Sequence, residues 1–432
     1  MIQTANTQSC RMFYTNGEKF KTNAYLAFYR IPLQREEATK LAVLTEIYRS
    51  GIQTGFAKDD AEVLVAVQKE AENLYGALWD IQIVKKGAEA WLSFSLEVAK
   101  HVTEQEALDF LSALMRPVTQ EMCTQVLERR KAILRRRLEA QADDKMTYAA
   151  LRCQELTGGQ TGFGVCADGY LEDLEQITVE GLMAFDTKIR RHAPLYLFFC
   201  GDAEGRKNLK QWKKHLEVST ETIWIFPKVY LEPREVQMVR DRQKVSQTRL
   251  AMGFVSNISP KSRKMMALRV LCECLGSSGS GLLFQQLREQ QGLCYDISLR
   301  CDRMSGLVYA QTGVAQKDLK QSASQIVKII KNVARLGIAE ADFQNAKRQI
   351  AQQIQDIADH PWQILDFVAE QEVLQTNADT QTYLHLLENM EQEEIKKAAA
   401  DLELATIYIL TSEEEKKCQT CDMPQESALC GI

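Results

Sequence analysis

Apolar positions recur along the chain at two spacings, which predict strands and helices in alternation. Residues 21–33, KTNAYLAFYRIPL, form an apolar and aromatic run typical of a strand. Residues 36–50 repeat apolar side chains at helical spacing and stop at Gly51. Further strands are predicted at 77–84, 90–98 and 194–200, and further helices at 104–115 and 118–141. Strand pairs, helix pairs and a returning strand predict an α+β layered fold.

The second half of the chain repeats the pattern of the first. Residues 76–83 read GALWDIQI and residues 292–299 read GLCYDISL, so both fit G-x-x-[WY]-D-I-x-[IL]. Gly51 and Gly276 end corresponding helices in the two halves. The repeat is much longer than the ~20–50 residues of a solenoid period, which indicates duplicated domains. We therefore predict two homologous domains, each a mainly antiparallel sheet with helices packed on one face.

The length of 432 residues exceeds what one hydrophobic core usually serves. We predict an N-terminal domain over 1–218, a linker over 219–244, a C-terminal domain over 245–415 and a polar tail over 416–432. The linker carries Pro227 and Pro233, and the returning strand of the second domain is expected at 406–410.

Composition narrows the classes of function. The chain is 45% hydrophobic and 26% charged, with a net charge of -5, so it lacks the basic field that nucleic-acid binding requires. Its apolar runs are shorter than the ~20 residues of a membrane span. The N-terminus lacks the basic start and apolar centre of a signal peptide, which favours a cytoplasmic location.

Residues that could bind metal are few and scattered. The five histidines form no paired motif, and most of the twelve cysteines lie in apolar segments, where free thiols are expected. Cys418 and Cys421 form a single CxxC near Cys430, in a tail that we expect to be disordered rather than metal-binding. A basic run over 129–137 on a predicted helix is typical of a solvated face.

The strongest candidate for chemistry is the stretch over 276–296, GSSGSGLLFQQLREQQGLCYD. Arg288 offers a fixed fork of donors and Tyr295 a phenolic donor, and together they suit a peptide carbonyl or oxyanion. The small residues before them allow close backbone approach, although a helix cap and loop explain such a run equally well. These candidate substrate-binding residues are Gly276, Ser277, Ser278, Gly279, Ser280 and Gly281. The run lacks the spacing of a P-loop or a dinucleotide-binding motif.

The segment LFQQLREQQGLCYD resembles the C-terminal-domain signature of the pitrilysin/insulinase-type zinc peptidases, in particular those like the mitochondrial processing peptidase. The resemblance extends from about residue 13 to residue 412, over the duplicated halves. It implies that Arg288 and Tyr295 bind substrate, since the family uses an Arg and a Tyr at this spacing.

The chain departs from that family at the zinc motif. Catalytic members carry HxxEH on the first long helix, where this chain reads Ala42, Val43, Leu44, Thr45 and Glu46. The resemblance therefore implies no catalytic residue and no metal in this chain alone. It implies the non-catalytic subunit of a bacterial heterodimer, whose HxxEH-bearing homologous partner holds zinc and whose substrate is a peptide.

Two other functions fit the same sequence. The chain could be a catalytically dead scaffold, since the resembled family includes core subunits of a respiratory complex. It could also be a peptide-binding homodimer without a proteolytic role. A retained Arg288 and Tyr295 pair argues against a pure scaffold.

Overall fold

A computed structural model of the chain describes residues 2–3, 10–57, 60–202, 212, 224, 226, 231, 235–256, 258–277, 281–376 and 378–412. The strands are β1 (Ile2–Gln3), β2 (Cys10–Asn16), β3 (Thr22–Pro32), β4 (Leu78–Lys86), β5 (Glu89–Ala99), β6 (Leu195–Gly201), β7 (Gln237–Gln243), β8 (Thr248–Ser256), β9 (Cys294–Cys301), β10 (Val308–Val314) and β11 (Leu402–Ser412). The α-helices are α1 (Arg35–Ser50), α2 (Asp60–Asn73), α3 (Glu104–Leu114), α4 (Gln120–Asp143), α5 (Lys145–Gly158), α6 (Val179–His192), α7 (Lys264–Cys272), α8 (Leu319–Leu336), α9 (Glu340–Asp356), α10 (Pro361–Leu374), α11 (Thr380–Glu388) and α12 (Gln392–Ala400).

The strands form two sheets of matching topology. The first has the order β1-β2-β6-β3-β5-β4 and the second has the order β7-β11-β8-β10-β9. Without the short β1, each strand of the first sheet has a counterpart at the same place in the second. The predicted duplication and the α+β fold class are confirmed.

Each sheet contains one parallel pair that the sequence analysis did not predict. β2 runs parallel to β6, and β7 runs parallel to β11, while the remaining pairs are antiparallel. Residues 237–243 of the predicted linker belong to β7, and so they are part of the second sheet. These residues are largely polar and partly exposed, as is typical of an edge strand. A prediction based on apolar runs therefore did not include them.

Helices cover one face of each sheet, as predicted, and their apolar stripes form the two main cores. In the first core, Tyr48 of α1 meets Phe94 of β5 edge to face, with ring centroids 5.4 Å apart. In the second core, Leu268 of α7 and Ile326 of α8 are fully buried with Met252 of β8. Burial of these apolar side chains is the main term that stabilises each layer.

The opposite face of each sheet carries one further helix, from the other half of the sequence. On the first sheet, Phe28 stacks on Trp91 with centroids 4.2 Å apart, and α10 closes over this face. Trp362 of α10 donates to Glu97 of β5 at 2.5 Å. On the second sheet, Cys153 of α5 packs with buried side chains of β8 and β11.

The described chain forms two compact units. The first comprises described residues within Met1–Ala140, Val165–Lys228 and Ile357–Val373, and the second comprises those within Gln141–Gly164, Val229–Asp356 and Leu374–Ile432. A division at 218 and 245 assigns each half of the sequence to one domain, whereas α5 and most of α10 belong to the unit of the other half. Among the described residues, no helix is long and apolar enough to cross a bilayer.

Candidate functional site

The helix where the zinc motif would lie is packed as ordinary core. Ala42, Val43 and Leu44 are fully buried in the first unit. Thr45 turns its hydroxyl back to the carbonyl of Leu41 at 2.8 Å, a bond that keeps it within its own helix. These four positions therefore offer a metal no imidazole or carboxylate donor.

Glu46, the last position of the motif, is bound by two cations. Its Oε1 accepts from Arg49 at 2.8 Å and from Arg137 at 2.5 Å, and its side chain is 5% exposed. The two guanidinium groups already compensate the charge of the Glu46 carboxylate, and they would repel a divalent cation placed beside it. The backbone of Gly169 also lies close, since a Cβ there would stand 3.3 Å from that of Ala42. Zinc does not fit these residues.

Arg137 belongs to the basic run that was predicted as a solvated face, and that prediction is wrong for part of the run. Arg130 and Lys131 are buried, and Arg137 is half-buried against Glu46. Lys131 pairs with Glu128 at 3.0 Å. A helix of α4's length turns several times, so consecutive basic residues necessarily fall on both its inner and outer faces.

Arg288 lies at the end of a short helical segment. The segment Phe284–Gln290 is anchored by Leu283 and Leu287, which are fully buried. Arg288 is exposed, and its guanidinium carbon lies 4.7 Å from the ring centroid of Phe284. The ring packs against the cation, a contact that does not use the N–H donors of the guanidinium.

A tight turn connects Arg288 to the strand that carries Tyr295. The amide of Gly292 donates to the carbonyl of Arg288 at 3.2 Å, and the amide of Leu293 donates to Leu287 at 2.8 Å. Gly292 has φ of 63° and no neighbour that a Cβ would meet within 4 Å. The left-handed backbone is therefore the reason for glycine at this position.

Tyr295 occupies a β-bulge in β9. Cys294 pairs with Val314 and Asp296 pairs with Gly313, so Tyr295 is the extra residue between two registered pairs. Its side chain is 67% exposed. Bulges interrupt the ladder and re-aim a side chain, and they are over-represented beside active sites.

Asp296 holds the bulge in place. Its Oδ1 accepts the amide of Gly313 at 2.8 Å, and its carbonyl accepts the hydroxyl of Thr312 at 2.6 Å. Arg249 of β8 lies 3.3 Å from Oδ2. A Cβ on Gly313 would come within 2.7 Å of both Arg249 and Asp296, so glycine allows this pair to form over the strand.

A cavity of about 310 Å³ lies beside Tyr295 in the second unit. Its other lining residues, all uncharged, are Ser246, Gln247, Thr248, Val314, Ala315 and Gln316. Within the described part of the chain, the hydroxyl of Tyr295 and the guanidinium of Arg288 have no hydrogen-bond or ion-pair partner. Both side chains are therefore available to a ligand.

The Gly/Ser segment is described only at its two ends. Gly276 is buried, and a Cβ there would lie 2.9 Å from the backbone nitrogen of Leu299 in β9. Gly281 is also buried, and a Cβ there would lie 2.7 Å from the carbonyl oxygen of Leu275. These two glycines serve close packing, whereas substrate contact by the segment stays a prediction. Outside the described residues lie Ser278, Gly279, Ser280, Cys418, Cys421 and Cys430, and nothing of the Ser277 side chain is described.

Sequence reasoning missed three residues of this site, Gln247, Arg249 and Asp296. The repeated motif G-x-x-[WY]-D-I-x-[IL] held a signal for Asp296, because the aspartate follows the aromatic residue in both halves. Gln247 and Arg249 carry no comparable local signal, since only strand pairing brings them to Gly313. Among described residues there is no group of three or more His, Cys, Asp or Glu that could hold a metal.

Comparison with known proteins gives one matching family and one relative that is similar over most of the chain. Residues 176–350 match the family described as the peptidase M16 inactive domain. The probable inactive metalloprotease YmfF of Bacillus subtilis strain 168 is 24% identical over 408 residues, which is 92% of this chain and 94% of that protein. The resemblance to the pitrilysin/insulinase-type peptidases, which are the M16 peptidases, is confirmed.

Solved structures share the fold over nearly the whole chain. A conserved protein from Enterococcus faecalis V583 superposes with a TM-score of 0.85 at 23% identity, covering 94% of this chain and 97% of that one. A peptidase M16 inactive domain from Pseudomonas fluorescens gives a TM-score of 0.77 at 14% identity, covering 95% and 98%. At these identities the similarity establishes the fold.

Proposed function

We propose that this chain, of which residues 176–350 match the peptidase M16 inactive domain, is a member of that family and acts as the non-catalytic, substrate-binding subunit of a heterodimeric zinc metallopeptidase. Its own zinc-motif positions are filled by core packing and by the Glu46 cluster. In this proposal it contributes Arg288 and Tyr295 to the active site of a homologous partner that carries HxxEH.

One observation carries the proposal. Arg288 and Tyr295 are both exposed, follow each other across a single glycine turn, and have polar groups that no described residue satisfies. An aromatic residue of a structural hairpin normally packs its ring, as Trp79 does at the equivalent place in the first unit. A scaffold has no need of an exposed Tyr on an interrupted strand.

These two side chains would act on the substrate backbone. The phenol of Tyr295 would donate to a peptide carbonyl or to the oxyanion that develops from it, and the guanidinium of Arg288 would hold a neighbouring carbonyl. One such donor is typically worth about 3 kcal/mol in the transition state.

The partner would supply the chemistry that this chain lacks. A zinc ion held by HxxEH and a third carboxylate lowers the pKa of bound water and so provides the nucleophile. The substrate peptide would pair as an added strand with the partner's sheet edge, a mode that tolerates varied sequences. Under this proposal both subunits work in the cytoplasm.

Reconstitution tests the proposed division of labour. The chain is purified alone and with an HxxEH protein encoded beside it, and each sample is assayed with a quenched-fluorescent peptide library and analysed for zinc. We expect cleavage and zinc only in the pair. A stable pair that cuts no peptide would favour the scaffold, and peptide binding by a dimer of this chain alone would favour the binding homodimer.

Substituting the phenol tests the role of Tyr295. Tyr295→Phe should lower kcat/KM of the pair about 100-fold, since it removes one oxyanion donor, and should leave assembly unchanged. Tyr75→Phe is the matched control, because Tyr75 is also exposed, at 72%, and lies in the other unit. Equal activities for the two variants would overturn the substrate-contact role.

A further inference from the structure

The cavity beside Tyr295 has a lining that suits a particular kind of ligand. Gln247 and Gln316 carry carboxamides, and Ser246 and Thr248 carry hydroxyls. Tyr295 adds its phenol, and Val314 and Ala315 are aliphatic. Its volume of about 310 Å³ lies at the small end of ligand pockets, which hold compact groups. The cavity therefore suits one residue of a peptide rather than a long segment.

Gln247 lines this cavity, and the donor of its carboxamide is unsatisfied within the described residues. Its Nε2 is buried from solvent and has no hydrogen-bond partner among the described residues. Its side chain lies over Gly313, since the Oε1 atom is 2.6 Å from where a Cβ on that glycine would stand. A buried amide donor without a partner costs free energy, and rotation of the Gln247 carboxamide would let a carbonyl or hydroxyl bound in the cavity accept from it.

Two charged residues near Gln247 pair with each other. Arg249 and Asp296 lie with Gln247 around Gly313, and their side chains are 3.3 Å apart. None of the lining residues is charged. An ionised substrate side chain would give up part of its hydration in this partly open cavity and meet no counter-ion among the lining residues, so an uncharged side chain should bind better.

From these three observations we propose that the cavity is a substrate subsite that takes one uncharged, small polar residue of the peptide, and that Gln247 is the specificity-determining residue. The inference rests on the proposed function, because it places the peptide against Tyr295. It adds a preference for residues such as Ser or Asn over Asp and Lys, which the Arg288 and Tyr295 pair alone does not impose.

A change of charge at Gln247 tests the subsite. One peptide that the pair cleaves is resynthesised with Ser, Asn, Asp or Lys at each position in turn. For the wild-type pair, one position should show at least a tenfold lower kcat/KM with Asp and Lys. Gln247→Glu should make Lys the preferred residue at that same position, which a loss of structure cannot do. Gln321→Glu, on the exposed face of α8, is the control and should leave the ranking unchanged.

A second measurement keeps the test independent of catalysis. Fluorescein-labelled forms of the same peptides are titrated against the isolated chain by fluorescence anisotropy, with wild type and Gln247→Glu in parallel. An unchanged ranking in Gln247→Glu, with Tyr295→Phe still impairing turnover, would overturn the subsite and leave the proposed function standing. If no pair cleaves peptide, a swapped affinity ranking would support the subsite and an unswapped one would reject it.

Discussion

The two hairpins that carry the repeated motif differ by one residue in their pairing. β4 pairs with β5 from Leu78 to Lys86 without interruption, whereas β9 and β10 shift register around Tyr295. Trp79 is half-buried against the first core, and its counterpart Tyr295 is 67% exposed. One inserted position therefore separates an aromatic residue that packs against the core from one whose side chain is mostly exposed.

The first helices of the two sequence halves, α1 and α7, differ in the same sense. Glu46 and Leu271 each stand five positions before the glycines Gly51 and Gly276. Leu271 is fully buried in an apolar core, and Glu46 is buried in a cluster with two arginines. The helix of the first half thus keeps a buried carboxylate that two arginines satisfy, whereas the Arg288 guanidinium and the Tyr295 hydroxyl have no hydrogen-bond or ion-pair partner among the described residues.

Restoring the zinc motif on α1 should give the largest effect. The combined change Ala42→His, Thr45→Glu and Glu46→His should lower the free energy of unfolding by at least about 3 kcal/mol, since overpacking costs ~1–3 kcal/mol and the arginines lose their carboxylate. Zinc should not bind stoichiometrically. Urea denaturation and metal analysis measure both quantities.

The matched control for this graft is Thr45→Val, which removes only the local hydroxyl bond to Leu41. It should cost far less than the triple change. A triple variant that retains wild-type stability and holds one zinc ion per chain would show that α1 still frames an intact site.

The repeated motif made the duplication predictable from sequence. Apolar and aromatic runs such as 22–32 predicted the central strands, because two buried faces demand them. The sequence also indicated Arg288 and Tyr295 as candidate substrate-binding residues, and their role stays a prediction. Their seven-residue spacing spans a short helical segment, a glycine turn and a strand. Local periodicity was sufficient wherever the elements bury a continuous apolar face.

Other features depend on pairing between distant segments. The bulge at Tyr295 arises from the register of β9 on β10, which no local pattern encodes. The placement of α5 and α10 was also hidden, since an amphipathic helix shows which face is apolar and not which sheet it covers. Lys86, for example, binds Glu370 of α10 at 2.7 Å across a large sequence separation.

Removing the aspartate of the repeated motif should lower the free energy of unfolding to different extents in the two hairpins, and by less than the zinc-motif change does. Asp296→Ala should cost about 1–2 kcal/mol, because the Gly313 amide and Arg249 both lose a partner. Asp80→Ala should cost less than about 0.5 kcal/mol, since exposed Asp80 accepts only the neighbouring amide of Ile81 with its side chain. Thermal unfolding of the two variants measures the difference, and equal costs would contradict the anchoring role of Asp296.

The glycines that begin the two motifs offer the finest test, because they are alike in structure. Gly76 and Gly292 have φ of 77° and 63°, and a Cβ on either would meet nothing within 4 Å. Alanine should therefore cost about 1 kcal/mol at each, the strain of a left-handed backbone. Only Gly292→Ala should also lower peptide turnover by the reconstituted pair, because that turn sets Tyr295 relative to Arg288. Equal losses of turnover in both variants would mean that stability limits activity, and not the position of Tyr295 relative to Arg288.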